Sequence, residues 1–180
     1  MEDTLITLYC LVDDFCKAFS PFWKKHCLGN QINRRCRNTQ MSTSEIMTIV
    51  IHFHQSGYRP FKQYYLCHVQ RHLKSYFSPL VSDQRMVALM KRILLHLSVF
   101  LHTLTGEKTG IYFVDSTPIK VCHIKRAKQN RIFRSLASKS KSSVEWFFGF
   151  KLHLVINNKG ELMAFKLTAS TMDDRHPVLE

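Results

Sequence analysis

The hydrophobic period changes once along this chain, near Gly106, and that change limits the folds open to it. Before it, apolar residues recur at three- and four-residue steps. After it, they alternate or run together in short β-branched and aromatic stretches. Met86, Leu89, Met90, Ile93, Leu94, Leu97, Phe100, Leu101 and Leu104 form the clearest helical stripe. Ser82 or Asp83 can cap that helix and Gly106 stops it. A methionine and leucine stripe at this spacing is core rather than a cofactor box. An all-helical unit is therefore expected over residues 1–106 and a strand-bearing unit over 107–180.

Within the first unit, Leu5, Leu8, Tyr9, Val12, Phe15, Cys16 and Phe19 predict a helix broken at Ser20-Pro21. A polar connector with Arg34, Arg35 and Arg37 follows, read either as a phosphate contact or as a solvated loop. Ser42 and Glu45 have capping-box spacing and open a helix with Ile46, Ile49, Val50 and Phe53 on its buried stripe. Gly57 closes it. A further helix is predicted from Phe61 to Phe77, ended by Ser78-Pro79.

In the second unit, Ile111 to Val114 run from Gly110 into Asp115. A bounded run of this kind predicts a buried central strand with the carboxylate at its end. Trp146 to Ile156 is a second strand, with Phe148, Phe150, Leu152 and Leu154 on one face and Lys151 and His153 on the other. Asn157 to Gly160 is a hairpin turn, and Leu162 to Leu167 returns. Between the first two strands lie Lys125, Arg126, Lys128, Arg131, Arg134, Lys139 and Lys141, with no acidic residue among them. A solvated loop and a DNA-contacting arm both fit that stretch. Three strands with no covering helix do not complete a sheet domain, so the chain is expected to be C-terminally truncated.

The 26 Lys and Arg against 13 Asp and Glu give a formal charge of +13, which favours a polyanionic partner, nucleic acid first. No stretch of about 18 uncharged apolar residues occurs, so no membrane span is expected. Acidic Glu2, Asp3, Asp13 and Asp14 do not suit a signal peptide, and an intracellular protein is expected. The six cysteines lack zinc-knuckle spacing and read as reduced, partly buried thiols. His52 with His54, and Cys67-His68 with His72, match no ligand spacing and read as ordinary helix-face residues.

A carboxylate held on a rigid strand, beside a basic segment, suits metal-assisted phosphodiester chemistry. A structural role, capping a loop through the Ser116 or Thr117 amide, fits the same residues.

Phe113-Val114-Asp115-Ser116-Thr117-Pro118-Ile119, then Gly149 to Val155, Gly160-Glu161-Leu162, and Leu167-Thr168 through Asp173-Asp174-Arg175 resemble the DDE transposases of bacterial insertion sequences, most nearly the insertion-sequence-982 type. Ser42 to Thr48 and Gly57 to Phe61 resemble the N-terminal unit of that group. The resemblance implies an α+β chain: a helical, DNA-binding N-terminal unit followed by an incomplete ribonuclease-H-like α/β domain comprising its first three strands. It implies Mg2+ or Mn2+ as cofactor, with Asp115 as the first catalytic and metal-binding carboxylate. It implies DNA as partner, both terminal repeats and target, with a homodimer by analogy, no membrane, and a cytoplasmic, nucleoid-associated place in a bacterium. Asp174, Lys151 and His153 fall where accessory residues would lie, though Asp174 can equally cap a following helix and Lys151 and His153 can serve the sheet alone. Ser170 and Thr171 replace the Gly and Asn the family often has before Asp174. The family's second Asp and its Glu have no counterpart here. The chain alone is therefore expected to be inactive, with metal binding weak or absent.

Two readings follow: a transposase fragment whose family chemistry is metal-dependent hydrolysis and strand transfer, and a catalytically inactive remnant that occupies transposon ends. A basic helical adaptor that binds another protein rests only on the periodic helix.

Overall fold

In a computed structural model the chain forms two compact units, Met1–Thr103 and Leu104–Glu180. The structure describes residues 2–29, 39–77, 79–142 and 145–172. Helices together with a small antiparallel sheet of four strands make it an α+β chain.

The first helix, α1, spans Glu2–Gly29 and carries Pro21 inside it. The expected break at Ser20-Pro21 does not occur. Pro21 and Lys17, whose carbonyl it leaves without a donor, are both exposed residues. The Ser20 hydroxyl also donates to the Cys16 carbonyl at 2.6 Å. Phe15 stacks on Phe19 and Phe19 on Trp23, at ring separations of 5.4 and 6.3 Å, bridging the proline.

Helix α2, Thr43–Gln55, opens with the expected capping box. The Ser42 hydroxyl accepts from the Glu45 amide at 3.1 Å, and Glu45 Oε2 accepts from the Ser42 amide at 2.6 Å. Ser44 ties α2 to α1 by donating to Asp13 Oδ1 at 2.8 Å. Lys17 and then Ser44 hold the Asp13 carboxyl below its usual range. Gly57, at φ 75°, turns the chain out of α2.

The next helical stretch is not one α-helix to Phe77. It runs as α3, Phe61–Tyr64, a π-helical turn, Tyr65–Val69, and α4, Gln70–His72. Tyr64, Tyr65 and Val69 are fully buried, and the Tyr65 hydroxyl donates to the Val81 carbonyl at 2.7 Å. Packing two adjacent tyrosines inward is met by the wider turn.

Helix α5, Asp83–Thr103, buries Met86, Leu89, Ile93 and Phe100 against Val12, Met47 and Ile49 in the core of this unit. By length and composition α5 is also apolar enough to cross a membrane. Lys91 and Arg92 stand at its middle, where each would be costly in a bilayer. The expected core stripe is buried only at Met86, Leu89, Ile93 and Phe100, while Leu94, Leu101 and Leu104 are exposed, because the helix packs on one narrow side. The described cysteines Cys10, Cys16, Cys67 and Cys122 are free thiols, and burial pushes Cys16 up to about 11.

The second unit holds β1 (Tyr112–Cys122), a 3-10 helix (Ile124–Gln129), β2 (Ser138–Lys141), β3 (Trp146–Asn157) and β4 (Leu162–Ala169). The sheet is organised on β3. Strand β1 pairs antiparallel with almost all of it. On its other side β2 takes the first part of β3 and β4 the rest.

The expectation of a buried central strand at Ile111–Val114 is therefore corrected. Strand β1 lies at an edge, and Ile111, Tyr112, Phe113 and Val114 are 59, 42, 57 and 45% exposed. The centre goes to β3 because both its edges are paired. Pro118 within β1 agrees with this, since an edge strand needs no donor on its outer side. Among the described residues the sheet has four strands rather than three, because Ser138–Lys141 pairs with β3.

Gly149 sits where β1 bulges between Lys120 and Cys122. A Cβ there would overlap the Ile119 carbonyl, so this close approach admits only glycine. At the hairpin, Gly160 takes φ 80° and its amide donates to the Asn157 carbonyl at 3.0 Å.

Candidate nucleic-acid interface

Asp115 is the fourth residue of the eleven-residue β1 rather than its end. The strand continues through Ser116-Thr117-Pro118, because β3 supplies partners for the whole length. Asp115 is exposed, so no penalty for a buried charge arises. Its Oδ1 accepts from the Ser116 amide at 2.8 Å.

Asp115 stands opposite Leu154, and Thr117 and Ile119 stand opposite Leu152 and Phe150. Directly opposed residues share a face. Asp115 therefore belongs to the apolar face that carries Phe148, Phe150, Leu152 and Leu154. Register places Lys139 opposite Phe148 and Lys141 opposite Trp146, on the same face.

The basic segment is folded onto the far end of that face. Ala127 and Ala137 are buried with Phe148, and Phe150, Val121 and Cys122 pack beside them. Phe133 meets Phe150 edge-on at 5.7 Å. His123 caps the 3-10 helix by accepting from the Lys125 amide. Ala127 and Ala137 are turned inward, whereas Ile132 and Leu136 stay exposed, as do Lys125, Arg126, Lys128, Arg131, Arg134, Lys139 and Lys141. From Asp115 to Ile119, above Phe150, is about 13 Å along the strand. One face thus carries a carboxylate near one end and an array of cations at the other.

Lys151 and His153 do not join this arrangement. His153 stands opposite Ser116 and Lys151 opposite Pro118, which puts both on the face away from Asp115. His153 is 3% exposed, and its Nε2 meets Thr168 Oγ1 at 2.9 Å. Lys151 donates to the Met172 carbonyl at 3.1 Å and holds the loop after β4. Asp174 lies outside the described residues, as do Asp173, Arg175 and Glu180.

Sequence reading missed the side-chain contacts by which Ser170 and Asn157 tie the loops to the sheet. Ser170 is fully buried and donates to the Ser138 carbonyl at 2.6 Å. Asn157 is 1% exposed and organises the hairpin. An Asn at the end of an apolar strand, just ahead of Asn-Lys-Gly, was the available signal. Lys120 pairs with Glu145, which lowers the Glu145 carboxyl.

Among the described residues no three His, Cys, Asp or Glu side chains cluster as a metal site. Asp115 suits Mg2+ as one hard oxygen ligand among waters and phosphates. It does not make a two-ion centre, and no bond-breaking step follows from the described residues alone.

Fold and site together define a basic α+β protein whose sheet presents an acidic residue and a cationic array on one face. Residues 105–180 match the family model described as a transposase DDE domain. The match begins at the change from helix to strand and takes in all four strands, so the likeness belongs to the second unit and suggests a function in transposition. No curated protein and no solved structure matches the chain.

Proposed function

We propose that this chain is a DNA-binding protein of the DDE transposase kind, similar to the insertion-sequence-982 type. In this reading the second unit is ribonuclease-H-like and holds DNA phosphates on its exposed cations. Asp115 is its first metal-binding carboxylate, for Mg2+ or Mn2+, the cofactor that supplies charge stabilisation at a phosphodiester in such enzymes. The helical unit joins in binding terminal repeats, two copies pair two ends, and the protein works at the nucleoid. The observation that carries this reading is the transposase-domain match over a sheet whose one face holds both Asp115 and the basic segment.

A second reading, an inactive protein that occupies transposon ends, is favoured by one feature. Asp115 belongs to no group of three or more His, Cys, Asp or Glu side chains among the described residues. The two readings part in one experiment. The purified chain is incubated with terminal-repeat duplex and Mg2+, and both binding and strand cleavage are scored. Binding without cleavage is the expected result. Cleavage lost in Asp115→Asn would establish the enzyme, and no binding at low salt would sink both readings.

A further inference from the structure

The proposed function leaves a ring cluster in the helical unit unexplained. His52 on α2 and His68 and His72 on the π-turn and α4 form one ladder. His52 and His68 stack at 5.6 Å with planes 15° apart, and His68 meets His72 at 5.7 Å. Tyr64 stacks on His68 at 5.7 Å, and Tyr58 stands against both, at 5.8 Å from Tyr64 and 5.9 Å from His68. Such π-helical turns collect at functional sites.

Beside the ladder lies a cavity of about 230 Å³, lined by Thr4, His52, Gln55, Ser56, Tyr58 and His68. Three of its lining residues, His52, Tyr58 and His68, are rings, and its side chains bring one amide and three hydroxyls beside the imidazole nitrogens. The Ser56 hydroxyl is already donated to the Phe53 carbonyl at 2.8 Å, which leaves Gln55, Thr4 and the Tyr58 hydroxyl to read a ligand's edge.

Three observations decide what fits. The volume is below the roughly 300–1,000 Å³ of pockets for drug-sized ligands, so one ring system is the size of occupant. The cluster does not read as a metal centre. His52 Nδ1 is held by the Tyr64 hydroxyl at 2.8 Å, and no metal-binding group of three occurs among the described residues. Burial lowers His52 and His68, so at neutral pH the cavity is lined by uncharged rings. A planar heterocycle with hydrogen-bonding edges is the matching chemistry, and a chain of +13 charge meets such rings on nucleic acid.

We propose that this cavity takes one unstacked base of a bound DNA strand. The proposal rests on the DNA-binding reading above, and it adds a base-holding site in the helical unit. A base already unpaired enters most readily, because a paired base must first leave its stack.

The test compares three duplexes on the full chain: blunt, with a one-nucleotide overhang, and with the same overhang lacking its base. The overhang should bind about tenfold more tightly than the other two. Replacing Tyr58 or His68 by Ala should erase that advantage and leave blunt-end affinity and its salt dependence unchanged. Equal binding of the overhang with and without its base, while blunt DNA still binds, would overturn this proposal alone. No binding to any duplex would overturn it together with the DNA-binding reading. The abasic comparison uses the unaltered chain, so the result stands even if a variant fails to fold.

Discussion

Replacing Asn157 by Ala should loosen the β3–β4 hairpin by about 3 kcal/mol. Its Oδ1 accepts from the Lys159 amide at 3.0 Å and the Glu161 amide at 2.9 Å. Its Nδ2 donates to Glu161 Oε2 at 2.7 Å and to the Glu107 carbonyl at 3.2 Å. Three neutral bonds at about 1 kcal/mol each, and a charge-assisted one at about 2, bound the loss near 5 kcal/mol. Glu107, Lys159 and Glu161 are exposed, so water recovers part of it. The assay is amide hydrogen exchange over the β3 and β4 strands in the full chain. At about 3 kcal/mol, exchange through opening of the hairpin should quicken about a hundredfold. Asn157→Asp should also loosen it, because a second carboxylate would face Glu161. A change below about threefold in the Ala variant would refute the idea that this side chain organises the hairpin.

Other outcomes follow from single contacts. Acidification should weaken the helical unit: burial lowers His52, His68 and His96, so the unfolded chain binds protons more readily. Stability should be complete above about pH 6.5 and fall as pH drops from there toward the lowered values, read as the urea midpoint; a midpoint that holds or rises would contradict it. Ser42→Ala removes the acceptor of the Glu45 amide and should cost about 1 kcal/mol, seen as a lower melting temperature in circular dichroism. Gly149→Ala should break the close pass of β3 under Ile119 and release the β1 amides to exchange, while α2 and α5 keep theirs.

Elements fixed by neighbours in sequence were the legible ones. The Ser42–Glu45 capping box, the α5 helix and the Asn157–Gly160 turn each depend on contacts a few residues apart, whereas Leu94, Leu101 and Leu104 of the expected α5 stripe are exposed. The missed features depend on pairing between distant residues. Nothing in Ser-Lys-Ser-Lys marks β2 as a strand, since its hydrogen bonds come from β3. Ile111–Val114 reads as buried from composition, yet the edge position of β1 follows only from the partners β3 collects. Pro21 reads as a break, but the aromatic ladder that spans it is helical packing that a breaker rule ignores.

The candidate site divides in the same way. Asp115 and the run of cations were visible as residue types. That they share a face, and that Lys151 and His153 lie on the opposite one, is a matter of register. Shifting β1 by one residue against β3 would exchange the two faces. The folding of the basic segment turns on Ala127, Ala137 and Phe133, small or isolated apolar residues within a charged stretch.

The most direct test of the account is the salt dependence of duplex DNA binding by the chain and by a Lys125→Gln, Arg126→Gln, Lys128→Gln variant. Each phosphate contact contributes about 0.9 to the slope of log affinity against log salt. The account predicts a steep slope for the chain and a loss of about 2 to 3 in the variant, with the fold of the sheet retained. An unchanged slope in a folded variant would contradict it.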